Sequence, residues 1–297
     1  MNDTTTNGLP LDSPEWNRLE HAYGSCVSTL KLLKQLKAFA EDCSNDLSIA
    51  DSDKAETLRT AMLDEFGSNL FHQQSTYDAT IAAVPHFVEI AKRLPQKFKR
   101  DILLTVAWIQ RAGGFVHAES LPNLRAWYNQ AIKDCVPLID EWLVSPAAGD
   151  IWPELDMLKS ALSVRGVDQL FLADVVHWFE EFYFTCHKCF EDLYVQWIEE
   201  HDQFDVWEAK LVRSSDSQCS VEPNLGKPNE PLADPSLQSD FELMLDLVTR
   251  APARKAEAWV RSFYGRGKCP SCQTTFCVGQ LATKLYKTKR ENAKRQR

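Results

Sequence analysis

Cys186 and Cys189, and then Cys269 and Cys272, are the residues of this 297-residue chain whose spacing best suits chemistry. Two residues between cysteines let both thiolates turn toward one cation, and two such pairs supply the four ligands of a tetrahedral zinc ion. The surroundings match. An aromatic pair precedes each knuckle, Phe182-Tyr183 in one copy and Phe263-Tyr264 in the other. Apolar residues follow the second cysteine by four and six positions, Leu193 and Val195 in the first copy, Phe276 and Val278 in the second. Each copy thus reads as strand, knuckle, strand, because alternating apolar residues suit a strand leaving the turn. A site closed by four thiolates leaves no position for substrate water, so the spacing predicts a structural zinc ion and no catalysis by the metal.

Free thiols are the alternative, natural for one Cys-x-x-Cys and less so for two in a matching frame. A thioredoxin-like dithiol would need a surrounding alternation of strand and helix, which neither pair has. Both knuckles depart from a standard zinc ribbon. Glycine usually follows the second cysteine to relieve a positive φ, and Phe190 and Gln273 stand there instead, while proline is absent at His187. His187 and Cys277 are the available substitute ligands. The 79 residues between Cys189 and Cys269 require an insertion. Residues 214–239, rich in Ser, Pro, Asn and Asp, read as a loop, and Phe241–Leu247 and Ala256–Phe263 as short helices returning the chain.

No other constellation carries a catalytic signature. The seven histidines (His21, His72, His86, His117, His177, His187, His201) form no i, i+4 metal pair, and no phosphate-cradling glycine loop or Gly-x-Ser-x-Gly appears. His21, Tyr23, His72, Gln73 and Tyr77 fall near predicted helix ends, where hydrogen-bonded joints explain them more simply than a binding site does. Glu180, Glu181, Glu199, Glu200, Asp202 and Asp205 read as solvated faces, with an acid–base pair or an anionic docking strip as the alternatives. Trp178, Trp197 and Trp207 read as core before interface anchors.

Helices must position these residues. Leu30, Leu33, Leu36, Phe39 and Ala40 mark one helix over 28–43, with Lys31, Lys34 and Lys37 outside. Leu58, Met62, Phe66 and Leu70 mark a second, Ile81, Val84, Val88 and Ala91 a third, and Ile102, Leu103, Val106 and Ile109 a fourth, closed by Gly113-Gly114. Leu124, Tyr128, Ala131, Cys135, Leu138 and Trp142 step evenly until Pro146; Leu155, Leu158 and Leu162 follow, then Val167 to Phe182. About seven helices with short joints give an all-α stack. Ala79 to Pro85 is echoed 52 residues later by Ala131 to Pro137, with an alanine six residues before the proline of a Val-Pro each time. A repeat and two unrelated helices explain that echo equally well.

The stretch Trp16-x-x-Leu19-Glu20-His21-Ala22-Tyr23-Gly24-Ser25, with Leu70-Phe71-His72-Gln73 and Tyr77-x-Ala79-Thr80-x-Ala82-Ala83-Val84-Pro85, resembles the opening of a group of bacterial HEAT-like repeat proteins. The resemblance covers about the first 95 residues. It implies a curved helical scaffold that binds other macromolecules, in some relatives as immunity or partner proteins of bacterial toxins, and no catalytic chemistry.

Composition fits a soluble globular chain, with 44% hydrophobic and 25% charged residues. No apolar run reaches the length of a membrane span, and the first twenty residues lack a basic start followed by an apolar run, so a cytoplasmic location is expected. Nine scattered cysteines then suit reduced thiols and metal ligation. The net charge of −9 becomes −15 when residues 284–297, with seven Lys/Arg and one Glu, are set aside. An acidic body disfavours nucleic acid along its main surface and favours a basic protein partner, whereas the basic tail reads as a solvated terminus, with a nucleic-acid arm as the alternative. The expected organisation is a flexible leader (1–14), a helical HEAT-like scaffold (15–181), a split zinc-ribbon-like module (182–283) and a basic tail (284–297). The expected fold is mainly α with a small C-terminal β element. The expected function is a non-enzymatic protein-binding scaffold, an immunity protein that neutralises a basic toxin by direct binding. A nucleic-acid-associated zinc-ribbon factor is the alternative.

Overall fold

Leu58, Met62, Phe66 and Leu70 share one continuous helical stretch, α2 (Asp53–Glu65) running into a single π turn at Phe66–Leu70. The structure is a computed structural model that describes residues 8–46, 48–49, 52–72, 76–111, 121–143, 151–166, 181–198, 200, 203–208, 219–221, 235–250 and 254–284. Among these residues the fold is mainly helical, with eight α-helices and eight short strands. The chain divides into two compact units, residues 1–142 with 163–167, and residues 143–162 with 168–297.

In the first unit a 3-10 turn (Pro14–Arg18) and a small hairpin of β1 (Glu20–His21) and β2 (Gly24–Ser25) lead into α1 (Val27–Asn45). After α2 come α3 (Asp78–Ala91), α4 (Gln96–Arg111) and α5 (Leu124–Leu143). The apolar periodicities locate all five helices. Leu33, Leu36, Phe39 and Ala40 face the core of α1 while Lys31, Lys34 and Lys37 face solvent. Helix α1 packs against α2 and α3, and α3 against α4.

The Ala-to-Pro echo places proline inside a helix both times, Pro85 in α3 and Pro137 in α5. The environments differ, because α3 is enclosed on nearly every side whereas α5 turns Lys133, Pro137 and Glu141 to solvent. Ion pairs between helices recur at a nearly fixed sequence offset. Arg59 pairs with Asp101, Lys92 with Asp134 at 3.2 Å and Lys99 with Glu141 at 3.4 Å, each 42 residues apart. Residues 8–14 are packed instead of loose: Leu9 is buried, its carbonyl accepts from His86 Nε2 at 2.7 Å, and Trp16 Nε1 donates to Pro10 O at 2.9 Å.

The second unit holds α6 (Ile151–Val164) up to Leu162. The seventh expected helix, over 167–182, lies mostly outside the described residues. Then β3 (Glu181–Thr185), β4 (Asp192–Ile198), β5 (Gln203–Glu208) and β6 (Cys219–Ser220) form one antiparallel meander. Two helices follow, α7 (Pro235–Thr249) and α8 (Arg254–Phe263), and a second hairpin of β7 (Arg266–Lys268) and β8 (Thr275–Cys277).

An aromatic core joins these elements. Trp197 meets Phe204 edge-on, Phe204 meets Trp259, and Trp259 stacks on Phe263 at 4.8 Å. Ala256, Trp259, Val260 and Phe263 make the buried stripe of α8 at helical spacing. Buried Glu154 accepts the Ala256 backbone N–H at 2.8 Å, which satisfies an orphan donor in the first turn of α8 and sets a carboxylate at its positive end. The inserted helices therefore appear where expected, and α7 begins earlier, at Pro235. The expected loop over 214–239 is interrupted by strand β6, and its segments 214–218 and 222–234 lie outside the described residues.

Candidate metal centre

The two knuckles fold alike because the same two backbone bonds close each turn. In the first, Phe190 N–H donates to Cys186 O at 2.9 Å and Cys186 N–H to Glu191 O at 2.8 Å; in the second, Gln273 N–H donates to Cys269 O at 2.9 Å and Cys269 N–H to Thr274 O at 3.0 Å. The strand pairs that shut the hairpins are also equivalent, Thr185 opposite Asp192 and Lys268 opposite Thr275. Residues after the second cysteine enter the left-handed region without glycine, with φ 61° at Phe190 and 59° at Gln273. Loss of the glycines therefore leaves the knuckle conformation intact at the cost of backbone strain.

The hairpins bring the thiols together. Cys186 Sγ lies 3.7 Å from Cys272 Sγ and Cys189 Sγ 3.6 Å from Cys269 Sγ. All four sulfurs lie within 4.8 Å of one another, and this is the one His/Cys/Asp/Glu group among the described residues with metal-binding geometry. A tetrahedral site with metal–sulfur bonds of about 2.3 Å has sulfur–sulfur edges of about 3.8 Å, which the two close pairs nearly match. None of the four is in a disulfide. The arrangement can hold a metal ion with every ligand supplied by the chain.

Electrostatics divide the thiols unevenly. The Thr274 hydroxyl, 3.1 Å from Cys272 Sγ, and the Thr274 backbone amide hold Cys272 down to about 6, so it is mostly thiolate at neutral pH. Burial pushes Cys269 up to about 12. The Glu191 amide favours a Cys189 thiolate, but desolvation and the neighbouring sulfurs leave that thiol raised. A bound divalent cation would displace the remaining protons.

The proposed substitutes stay apart from this group. His187 is exposed between the first two cysteines, and Cys277 sits in β8, where burial raises its thiol. The aromatic pairs preceding the knuckles are not equivalent: Tyr183 is on β3 and exposed, whereas Phe263 and Tyr264 are core at the end of α8. Leu193, Val195 and Val278 are fully buried, and Phe276 meets Phe184 edge-on across the two hairpins at 4.9 Å. Gly267 makes that contact possible, since a Cβ there would meet the Phe276 ring at 2.6 Å.

The other candidates resolve into structural roles. His21 Nδ1 accepts the Tyr23 N–H at 3.1 Å and its Nε2 lies 3.4 Å from Ser28 Oγ. Tyr23 packs edge-on against His72 at 5.3 Å, and Tyr77 N–H donates to Thr80 Oγ1 at 3.1 Å. Gln73 lies outside the described residues. These are joints between elements. Asp205 is fully buried and accepts from Gln203 Nε2 at 3.2 Å, so it cannot join an exposed acidic strip; Glu200 is exposed, and Glu180, Glu199 and Asp202 are outside the described residues. Trp197 is core, as expected.

Three features escaped the sequence reading. The strand β5 was signalled by buried Phe204 and Val206 alternating with Gln203 and Asp205, although Asp205 is buried too. Glu65 is a buried carboxylate on the apolar side of α2, three residues from Met62. The basic character also extends well before residue 284: residues 250–297 carry 13 basic and 2 acidic residues, net +11, and residues 1–249 carry 20 basic and 40 acidic, net −20.

Among the described residues, no helix is long and apolar enough to cross a membrane. No protein-family model, no curated protein and no solved structure matches this chain.

Proposed function

We propose that this chain is a non-enzymatic binding protein whose second unit is held shut by one structural zinc ion. The carrying observation is the group of four thiols, donated by two equivalent knuckles, with all sulfurs within 4.8 Å. Four soft thiolates at tetrahedral spacing select zinc over harder cations and leave no ligand position for a substrate or an activated water. The ion then joins the hairpin before the inserted segment to the hairpin after it, replacing packing that short β-hairpins cannot supply alone.

We assign binding to the helical unit. Ion pairs repeated at an offset of 42 residues support a scaffold of successive, similar helical layers, because repeats of HEAT type are about 40 to 47 residues long. The net charge of −20 over residues 1–249 supports a basic protein as partner, with a toxin domain neutralised by direct binding as the form this takes.

Elemental analysis of the purified full chain should find one zinc per molecule, and Cys186→Ser combined with Cys269→Ser should abolish it. Zinc retained at full occupancy in that variant would mean that other ligands hold it. Pull-down with the zinc-loaded chain should recover a basic protein at low salt and release it as salt rises. Recovery of no partner would end the binding-protein reading while leaving the metal assignment standing.

A further inference from the structure

Phe190 is the most exposed large apolar side chain among the described residues, at 78%, and it occupies a backbone position that penalises any side chain. Its counterpart in the other knuckle behaves differently. Gln273 turns its side chain back onto its own turn, where Nε2 donates to Pro270 O at 3.0 Å. The Phe190 ring makes no ring contact among the described residues and stays exposed. The turn imposes this φ on both residues, and what sets Phe190 apart is a large ring left exposed beside the thiol cluster.

The charge near the ring indicates a ligand. Lys188 and Phe190 flank Cys189, and Lys268 precedes Cys269, whose sulfur lies 3.6 Å from that of Cys189. The thiol cluster therefore brings the hairpin that carries exposed Lys188 and Phe190 up to the one that carries exposed Lys268 and Arg266. From Arg250 to Lys284 the chain carries seven basic residues and only Glu257 as an acid. Glu191 and Asp192 follow Phe190 in the chain, and the Thr185 hydroxyl donates to Asp192 at 2.9 Å. Tyr183, 58% exposed, offers a second ring on the same hairpin.

We infer that the metal-bound knuckles form a site for single-stranded nucleic acid, with Phe190 stacking on a base and Lys188 and Lys268 contacting the adjacent phosphates. An exposed ring on a basic pair of hairpins suits a base with its phosphates, since every base offers a π face and lysines can meet the backbone. A protein partner would need a wider apolar patch than isolated rings provide. A duplex hides its base faces, so the site prefers unpaired strands. This activity is separate from the protein-binding reading of the helical unit and stands or falls without it.

The test uses the zinc-loaded full chain, a fluorescein-labelled oligothymidylate 20-mer and a duplex of equal length, read by anisotropy at 50 mM salt. The single strand should bind more tightly than the duplex. Phe190→Gly should weaken binding roughly tenfold while raising the unfolding midpoint and keeping one zinc, because glycine removes both ring and strain. Lys188→Ala and Lys268→Ala should each lower the slope of log affinity against log salt by about 0.7. Oligothymidylate binding unchanged in Phe190→Gly would assign it to the basic tail and overturn the proposal. So would equal affinity for the duplex, or equal competition by polyglutamate at matched charge.

Discussion

Phe190 and Gln273 hold the same left-handed backbone position in two knuckles, at φ 61° and 59°, and neither is glycine. A side chain in that region costs about 1–2 kcal/mol, and glycine returns part of the gain through its greater freedom when unfolded. Phe190→Gly should therefore stabilise the zinc-loaded chain by about 0.5–1 kcal/mol in urea unfolding. Gln273→Gly should gain less, since it also gives up the bond to Pro270 O. A loss of stability in both variants would mean that the turns are not strained.

Gly267 faces Phe276 across the second hairpin, and a Cβ there would come within 2.6 Å of the ring. Gly267→Ala should push Phe276 off Phe184 and loosen the alignment of the two knuckles, at about 1–2 kcal/mol. Faster zinc transfer to a chelator, with unchanged stoichiometry, is the expected readout. An unaltered transfer rate would show that the ring shifts without moving the cysteines.

The legible parts of this fold were those with one physical signal. Helical stripes such as Leu33-Leu36-Phe39-Ala40 located α1 to α5, and the matched Cys-x-x-Cys frames identified four thiols that meet across an insertion. Strand β5 alternates polar and apolar side chains as a strand should, but Asp202 and Asp205 read equally as a charged face, and burial of Asp205 is a tertiary property that local pattern does not report. Residues 8–14 differ from expectation for a related reason. Polar and proline-rich composition suggested looseness in residues 8–14, yet their order comes from Trp16 and His86, the latter 77 residues from Leu9, and no local pattern reports such contacts.

His86 makes that clasp acid-sensitive. Burial lowers its pKa below the ordinary 6.5, outweighing the Leu9 carbonyl, which raises it; Lys37 lowers it further and Glu89 raises it. A depressed pKa means that the unfolded chain binds the proton more readily, so the contribution is complete above pH 6.5 and is lost as pH falls through the lower folded value. Unfolding free energy should fall with a slope of at most about 1.4 kcal/mol per pH unit from this group. His86→Gln should flatten that part of the profile. An identical profile in the variant would remove His86 as its cause.

Glu65 is the hub of the joint between α1 and α2. Its Oε1 accepts from the Thr29 hydroxyl and from Ser28 Oγ at 3.1 Å, and its Oε2 accepts from Asn69 Nδ2 at 2.6 Å. His21 lies next in line through Ser28. A buried carboxylate is tolerable only because these donors replace water, and the converse also holds: without the carboxylate, Thr29 is left as a buried donor with no acceptor. Glu65→Ala should therefore cost about 3 kcal/mol, a fall in Tm of roughly 6–12 °C. Glu65→Gln should cost less, because one oxygen still accepts from Thr29 while the amide NH2 meets Asn69 as a donor and forces that side chain to flip. Thermal unfolding of both variants separates the readings. Equal losses would make the negative charge the essential feature, and no loss in either would show that the joint is held by its apolar neighbours Met62 and Phe66.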